Sequence, residues 1–113
     1  MLREPWRVSK VLFKDILTRG KTIHAPHLSL RLAVIPASST KMAVVVPKKV
    51  QAKAHDRNLL RRRIYAIVRQ YRDNLPQGFG GLIFAKPQAS HLNHSDLQAE
   101  VRGLLSNSFG IDL

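Results

Sequence analysis

Residues 54–75, AHDRNLLRRRIYAIVRQYRDNL, mix six arginines with regularly spaced apolar residues, and this segment limits the folds open to the chain. On a helical wheel at 100° per residue, the apolar residues fall within a sector of about 100°. They are Leu60, Ile64, Ile67, Val68 and Tyr71. A stripe of this width predicts an amphipathic helix with one side packed on a sheet.

The neighbouring sector, about 140° wide on the same wheel, holds most of the charge. We call its residues the basic face: Arg57, Asn58, Arg61, Arg62, Arg69 and Arg72, with Tyr65 in the middle. A solvated helix face normally pairs acids with bases at i,i+4, and this face has no such pair. Arginine favours bidentate recognition of phosphate. A basic helix that binds a membrane needs a free apolar side, whereas this stripe is required by the core. The basic face therefore predicts a nucleic acid partner.

The charge of the whole chain leads to the same prediction. Nineteen Lys and Arg against seven Asp and Glu give a net charge of +12, and residues 1–72 hold 17 of the bases. From Lys48 to Arg72 the chain has nine bases and one acid, Asp56. A positive field of this size indicates a polyanionic partner.

The N-terminal half of the chain predicts one helix and two strands. PWRVSKVLFKDILTRGK has apolar residues at helical spacing, with Ser9 as N-cap and Gly20 as C-terminal stop. Residues 27–35, HLSLRLAVI, alternate as a strand does. Residues 42–47, MAVVVP, form a short apolar run, which we predict to be the antiparallel partner of the preceding strand.

The C-terminal half predicts one strand and one helix. LPQGFGG is typical of a loop, and residues 82–85, LIFA, of a buried strand. In SDLQAEVRGLLSN, Ser95 and Gln98 match a capping box. This helix is predicted to bury Leu97, Val101, Leu104 and Leu105. The resulting order is α-β-β-α-β-α, an α+β fold in a single domain, residues 1–113, for which the basic face predicts binding of nucleic acid.

Several classes of protein are disfavoured by what the chain lacks. It has no cysteine, hence neither a disulfide framework nor a thiolate metal site. No apolar run approaches the roughly 18 residues of a membrane span, and no secretory signal is visible, so we expect a cytoplasmic protein without a membrane partner. The acids are scattered, and His91 and His94 lack a third ligand. We therefore expect no catalytic residue and no metal site in the protein itself.

The stretch VVVPKKVQAKAHDRNLLRRRIYAIVRQ resembles the signature of the bacterial ribonuclease P protein subunit. The matching positions are Lys48, Lys49, Val50, Ala54, Arg57, Asn58, Arg61 and Arg62. FKDILTRGKTI is similar to the family's first helix, with Phe13 at its aromatic position, and LIFAKPQAS to its late strand. The resemblance covers about residues 7–106.

This resemblance implies a fold and a division of labour. The fold would be a small α/β sandwich with a left-handed β-α-β crossover. The chain would be a subunit of a ribonucleoprotein endonuclease whose catalytic RNA subunit, with bound Mg²⁺, removes the 5′ leader of precursor tRNA, with no small-molecule substrate. The expected contacts with the catalytic RNA are Lys48, Lys49, Lys53, Arg57, Asn58, Arg61, Arg62 and Arg69. The expected contacts with the leader are Phe13, Arg31 and Lys86.

Alternatives remain open from the sequence. Leu59 and Tyr65 stand where the family motif has arginines, and Arg31 where it often has an aromatic residue. Phe13 fits either a core position or an exposed stacking platform, and Lys48 with its neighbour fits a phosphate contact or a solvated strand end. The same basic face would also suit a non-catalytic RNA-binding or ribosome-binding protein.

Overall fold

The computed structural model describes residues 7–113, which form one mixed α/β domain. Its helices and strands are α1 (Lys10–Arg19), β1 (Lys21–His24), β2 (Leu28–Val34), β3 (Lys41–Val45), α2 (Ala54–Gln70), β4 (Phe79–Ala85) and α3 (His94–Phe109). Short 3-10 turns occupy Arg72–Asn74 and Ala89–His91. Within the described residues the strands form a single sheet in the order β1-β2-β4-β3. The α+β prediction is confirmed.

The sheet lies between two helical layers. One face packs on α2 and α3, and its core contains Leu28, Leu30, Met42, Val44 and Ile83 from the strands. The apolar stripe of α2 supplies Leu60, Ile64, Ile67 and Val68 to this core, and α3 supplies all four residues predicted for it. On the opposite face, α1 contributes Ile16 to a smaller cluster with Ala33, Ile35 and Leu82. The helical periodicity therefore predicts the buried sides of α2 and α3 correctly.

The predicted pairing of β3 with β2 is wrong. Strand β4 lies between them, antiparallel to β2 and parallel to β3, so that Ile83 stands opposite both Leu30 and Val44. Strand β4 is buried along most of its length, as suits a strand covered on both faces. Helix α2 connects the adjacent parallel strands β3 and β4 as a β-α-β unit. The left-handed crossover remains a prediction from the family resemblance.

Strand β1 is absent from the sequence prediction. It pairs antiparallel with β2, Lys21 opposite Leu32 and His24 opposite Ser29. Only Ile23 of its four residues is half-buried, and the other three are exposed. A strand held by its backbone ladder at the sheet edge has no alternation of apolar residues from which it could be recognised.

Two further local predictions need correction. The loop predicted up to Gly81 ends earlier, since β4 begins at Phe79. A Cβ atom on Gly80 would lie 2.6 Å from the Ile16 Cδ1 atom, so the missing side chain lets α1 approach the sheet. The N-cap of α3 is Asn93, whose side chain accepts a hydrogen bond from the Asp96 N–H, and not the predicted Ser95.

The cap predictions for α1 are confirmed, with one physical difference. The Ser9 side chain accepts a hydrogen bond from the Leu12 N–H, and the helix ends at Gly20. The φ angle of Gly20 is −68°, so this position does not need glycine for a left-handed conformation. It needs glycine for space, because a Cβ atom there would lie 2.5 Å from the Ile16 carbonyl oxygen and 2.8 Å from the Arg31 Cγ atom.

Replacing Gly20 with alanine is therefore expected to lower the free energy of unfolding by about 1–3 kcal/mol, the usual cost of overpacking. Gly103 is the matched control, since it lies inside α3 and a Cβ atom there would have no neighbouring atom within 4 Å. Gly103→Ala should raise the free energy of unfolding by about 0.5–1 kcal/mol through helix propensity. Urea denaturation measures both. Equal stability of the two variants would contradict the proposed close contact at Gly20.

Candidate RNA interface

The connection between β3 and α2 presents exposed lysines beside the start of the basic helix. Lys48 and Lys49 lie in a turn after β3 that the Val50 N–H closes by donating to the Pro47 carbonyl oxygen at 3.0 Å. Lys53 occupies the N-cap position of α2 and makes no capping hydrogen bond with its side chain. Within residues 7–113 the ammonium groups of these lysines have no hydrogen-bonding or ionic partner. Their charges are available to a ligand.

The first arginine of α2 is partly committed to the protein. The Arg57 guanidinium donates hydrogen bonds to the carbonyl oxygens of Gln51 and Ala52, at 3.1 and 2.7 Å. These bonds hold the connection against the first turn of α2 and fix the direction of the guanidinium group. Arg57 therefore supports the lysine-bearing connection, and its remaining N–H groups stay available for phosphate.

The next turn of α2 forms a cleft of about 260 Å³, lined by Asn58, Arg61, Arg62 and Tyr65. The Arg61 guanidinium donates to the Asn58 side-chain oxygen at 2.8 Å. The Arg62 guanidinium is exposed and, among the described residues, makes no hydrogen bond or ion pair. Four of the predicted RNA contacts, Asn58, Arg61, Arg62 and the partly committed Arg57, thus share one side of the helix within two turns.

Tyr65 connects this cleft to the sheet. Its hydroxyl oxygen accepts a hydrogen bond from the Val44 N–H of the edge strand β3, at an N···O distance of 3.2 Å. The ring is half-buried and packs on the core while it also lines the cleft. The helical wheel places Tyr65 in the middle of the basic face, but it does not predict the contacts of Tyr65 with Val44 and with the core, which the structure shows. Of the four residues that line the cleft, Tyr65 is the one that the sequence analysis does not predict as an RNA contact.

Three other residues of α2 lie outside the cleft, namely Leu59, Arg63 and Arg69. Arg63 is on the opposite side of α2, where its guanidinium donates to the Leu92 carbonyl oxygen at 3.1 Å and holds the segment that precedes α3. Leu59 is 51% exposed, also away from the cleft. Arg69 is exposed near the C-terminal end of α2, farther along the basic face.

The three predicted leader contacts lie on α1, on β2 and just beyond the end of β4, and they do not form one cluster. Phe13 is half-buried and packs on the small α1 core together with Phe84. The Arg31 guanidinium donates to the Leu17 carbonyl oxygen at 2.8 Å and to the Thr22 hydroxyl at 2.6 Å, which ties the end of α1 to β1. Arg31 stands opposite Leu82 on β4.

Lys86 lies beyond the end of β4, where its ammonium group donates to the Ala25 carbonyl oxygen at 2.8 Å. Because it follows Leu82 by four residues, Lys86 is separated from the Arg31 position by roughly 13 Å along the strand. Phe13 and Arg31 therefore share the α1 side of the sheet, while Lys86 lies past the end of the interior strand β4, near the β1–β2 connection.

The acids near these bases have local structural partners. Two hydrogen bonds of 2.7 Å from the Arg19 guanidinium lower the pKa of the Asp15 carboxyl group. The Glu100 carboxylate accepts from the His27 backbone N–H at 2.7 Å and contacts its ring nitrogen at 2.9 Å, which ties the β1–β2 connection to α3. Between residues 7 and 113 no three His, Asp or Glu side chains meet as a metal site would require. In the same range, no helix has the length and apolar character to cross a membrane.

Sequence comparisons relate the chain to one family. The family model described as ribonuclease P matches residues 8–108. The ribonuclease P protein component of Microcystis aeruginosa is 31% identical over 98 residues, which cover 82% of this chain and 81% of the relative. That of Phytoplasma australiense is 40% identical over 75 residues, 60% of this chain and 64% of the relative, so that this alignment spans less than two thirds of the relative's length.

Solved structures show the same fold. The ribonuclease P protein of Staphylococcus aureus superimposes with a TM-score of 0.86 at 14% identity, over 96% of this chain and 100% of that chain. That of Thermotoga maritima gives a TM-score of 0.80 at 22% identity, over 93% and 97% of the two chains. At these identities the likeness establishes the architecture alone.

Proposed function

Because the chain belongs to the ribonuclease P protein family and is thereby a protein component of that enzyme, we propose that it binds the catalytic RNA through α2 and the connection before it. The contacts would be Lys48, Lys49, Lys53, Arg57, Asn58, Arg61, Arg62 and Arg69. The 5′ leader of precursor tRNA would lie along the α1 side of the sheet. The complex would act in the cytoplasm, and its product would be tRNA without the leader.

The observation that carries this proposal is the cleft of Asn58, Arg61 and Arg62 beside lysines that, among the described residues, lack partners. Like charges this close repel one another, and no acid of α2 lies between them on this side. A phosphate backbone would remove the repulsion and form charge-assisted hydrogen bonds with the guanidinium groups. A protein that needed only a soluble surface would gain nothing from this arrangement.

Fewer observations support the proposed leader contacts than support the contacts of α2 with the catalytic RNA. Phe13 is half-buried, so that part of its ring is open to a base while the rest packs on the α1 core. Arg31 and Lys86 already donate to oxygen atoms of the protein. They would therefore contribute through the N–H groups that remain and through their charge. In this proposal they align the strand, and the affinity comes mainly from α2.

We assign the hydrolysis to the RNA subunit, with Mg²⁺ held by that RNA. In the described part of the chain no three acid or histidine side chains meet, and Glu100 is committed to His27, so we place no catalytic residue in the protein. The contribution of this chain would be to bind and orient: its cations offset phosphate repulsion as the precursor tRNA approaches the catalytic RNA.

The test adds the purified protein to a bacterial ribonuclease P RNA at low Mg²⁺ and measures the cleavage of precursor tRNA. We expect faster removal of the leader with both components, and no cleavage by the protein without RNA. A structured ribosomal RNA of similar length is the control for the alternative of a ribosome-binding protein. Equal affinity for both RNAs with no gain in cleavage would contradict the proposed function. Cleavage by the protein alone, lost on mutating an acid, would contradict the division of labour.

A further inference from the structure

We propose that the cleft of Asn58, Arg61, Arg62 and Tyr65 accepts one unpaired nucleotide, with its base against the Tyr65 ring and its phosphate at the two arginines. The inference rests on the proposed function, because it takes the ligand to be RNA. It goes beyond that function by giving the cleft a preference for a single-stranded position over a duplex, and by making Tyr65 the residue that determines this preference.

The positions on α2 place aromatic and cationic groups side by side. Tyr65 follows Arg62 by three residues and Arg61 by four, the two spacings at which helical side chains are neighbours. All three line the same cleft. An unpaired nucleotide offers two complementary groups at neighbouring positions, a flat base for the ring and a phosphate for the arginines. Duplex RNA would engage the arginines but keep its bases stacked away from the ring.

The Tyr65 ring is held in place before any ligand binds. Its hydroxyl oxygen accepts the Val44 N–H from β3, and one part of the ring packs on the core. A ring fixed in this way loses little conformational freedom when a base stacks on it. A freely rotating surface tyrosine would lack this advantage.

The polar residues of the cleft differ in their freedom. Arg61 is oriented by its hydrogen bond to the Asn58 side-chain oxygen, which leaves the Asn58 amide N–H₂ to donate to a base edge. Arg62 has no partner among the described residues, and its guanidinium fork matches phosphate. At about 260 Å³ the cleft has room for one nucleotide unit.

The experiment is a thermodynamic cycle that crosses Tyr65→Leu with removal of the bases from the RNA. The probes are a short unstructured oligouridylate and an abasic strand of the same length and charge, bound at fixed salt. Base stacking predicts that Tyr65→Leu weakens oligouridylate binding about 5- to 150-fold and leaves abasic binding unchanged. Tyr65→Phe loses the hydrogen bond to Val44 but keeps the ring and its packing on the core, so it should bind oligouridylate within about twofold of the natural protein. The cycle isolates Tyr65 from other aromatic contacts.

Tyr71→Leu is the matched control, because Tyr71 ends the same helix but packs on the core and does not line the cleft. It should leave both affinities unchanged. Melting curves accompany each variant, and Tyr65→Gln takes the place of Tyr65→Leu if that variant does not fold. Equal effects of Tyr65→Leu on the two strands, or no effect on either, would overturn the stacking proposal. The proposed function would still stand in that case if the natural protein accelerates the cleavage of precursor tRNA. Only the absence of that acceleration in the cleavage assay would contradict the proposed function.

Discussion

Replacing Ile64 with alanine is expected to lower the free energy of unfolding by about 2–5 kcal/mol, the cost of a large cavity in a packed core. Ile64 is fully buried, with 0% of its surface exposed, and belongs to the core that α2, α3 and the sheet share. The substitution changes no charge and removes no side chain of the cleft. The RNA affinity of the folded fraction should therefore stay at its natural value. Chemical denaturation and RNA binding at fixed salt measure the two quantities.

Arg62→Ala is the matched variant on the other side of the same helix. It removes an exposed guanidinium that has no partner in the described structure, so the stability should be unchanged or slightly higher. RNA affinity should fall about tenfold or more, because a hydrogen bond to a charged group contributes roughly 1.5–3 kcal/mol. If Arg62→Ala unfolded the protein while its folded fraction bound RNA normally, the basic face would be structural and the proposed interface wrong.

The two sides of α2 differ in how far the sequence could predict them. The buried side follows from periodicity, because an amphipathic helix has one stripe that can be removed from water. The basic face follows from the same wheel. The roles of the individual arginines of α2 do not follow from the wheel. Arg57 donates to carbonyl groups of the preceding connection and Arg63 to Leu92, and these partners depend on where irregular segments lie in the fold.

The sheet order could be predicted even less. The apolar run of β3 indicates a strand, but nothing within it says whether its partner precedes or follows α2. The structure pairs β3 with β4. Val44 lies opposite Ile83, although the whole of α2 separates the two residues in the sequence. Gly80 and Gly81 are ambiguous for another reason. Glycine occurs both in turns and at close contacts between packed elements, so the sequence assigns these two residues to a loop although they lie in β4. Only the position of the Ile16 and Met42 side chains distinguishes the two roles.

The affinity for the RNA subunit is expected to fall steeply as salt is raised. We expect about six cations to neutralise phosphates, which predicts a slope of log K against log salt of roughly −4 to −5, at about −0.7 to −0.9 per contact. The candidates for these contacts are Lys48, Lys49, Lys53, Arg61, Arg62 and Arg69. A tenfold rise in salt would then weaken binding by a factor on the order of 10⁴ to 10⁵.

The slope also distinguishes basic residues that contact phosphate from basic residues that only bind the protein itself. Arg62→Ala should reduce its magnitude by about 0.7–0.9, the value of one phosphate contact. Arg63→Ala should leave the slope unchanged, because the Arg63 guanidinium lies on the far side of α2 and binds the Leu92 carbonyl oxygen. Binding titrations at a series of salt concentrations give the slope for each protein. A slope near zero for the natural chain would remove the electrostatic basis of the interface. Equal changes in both variants would show that the side of α2 does not matter, so that the net charge of the chain, rather than the cleft, attracts the RNA.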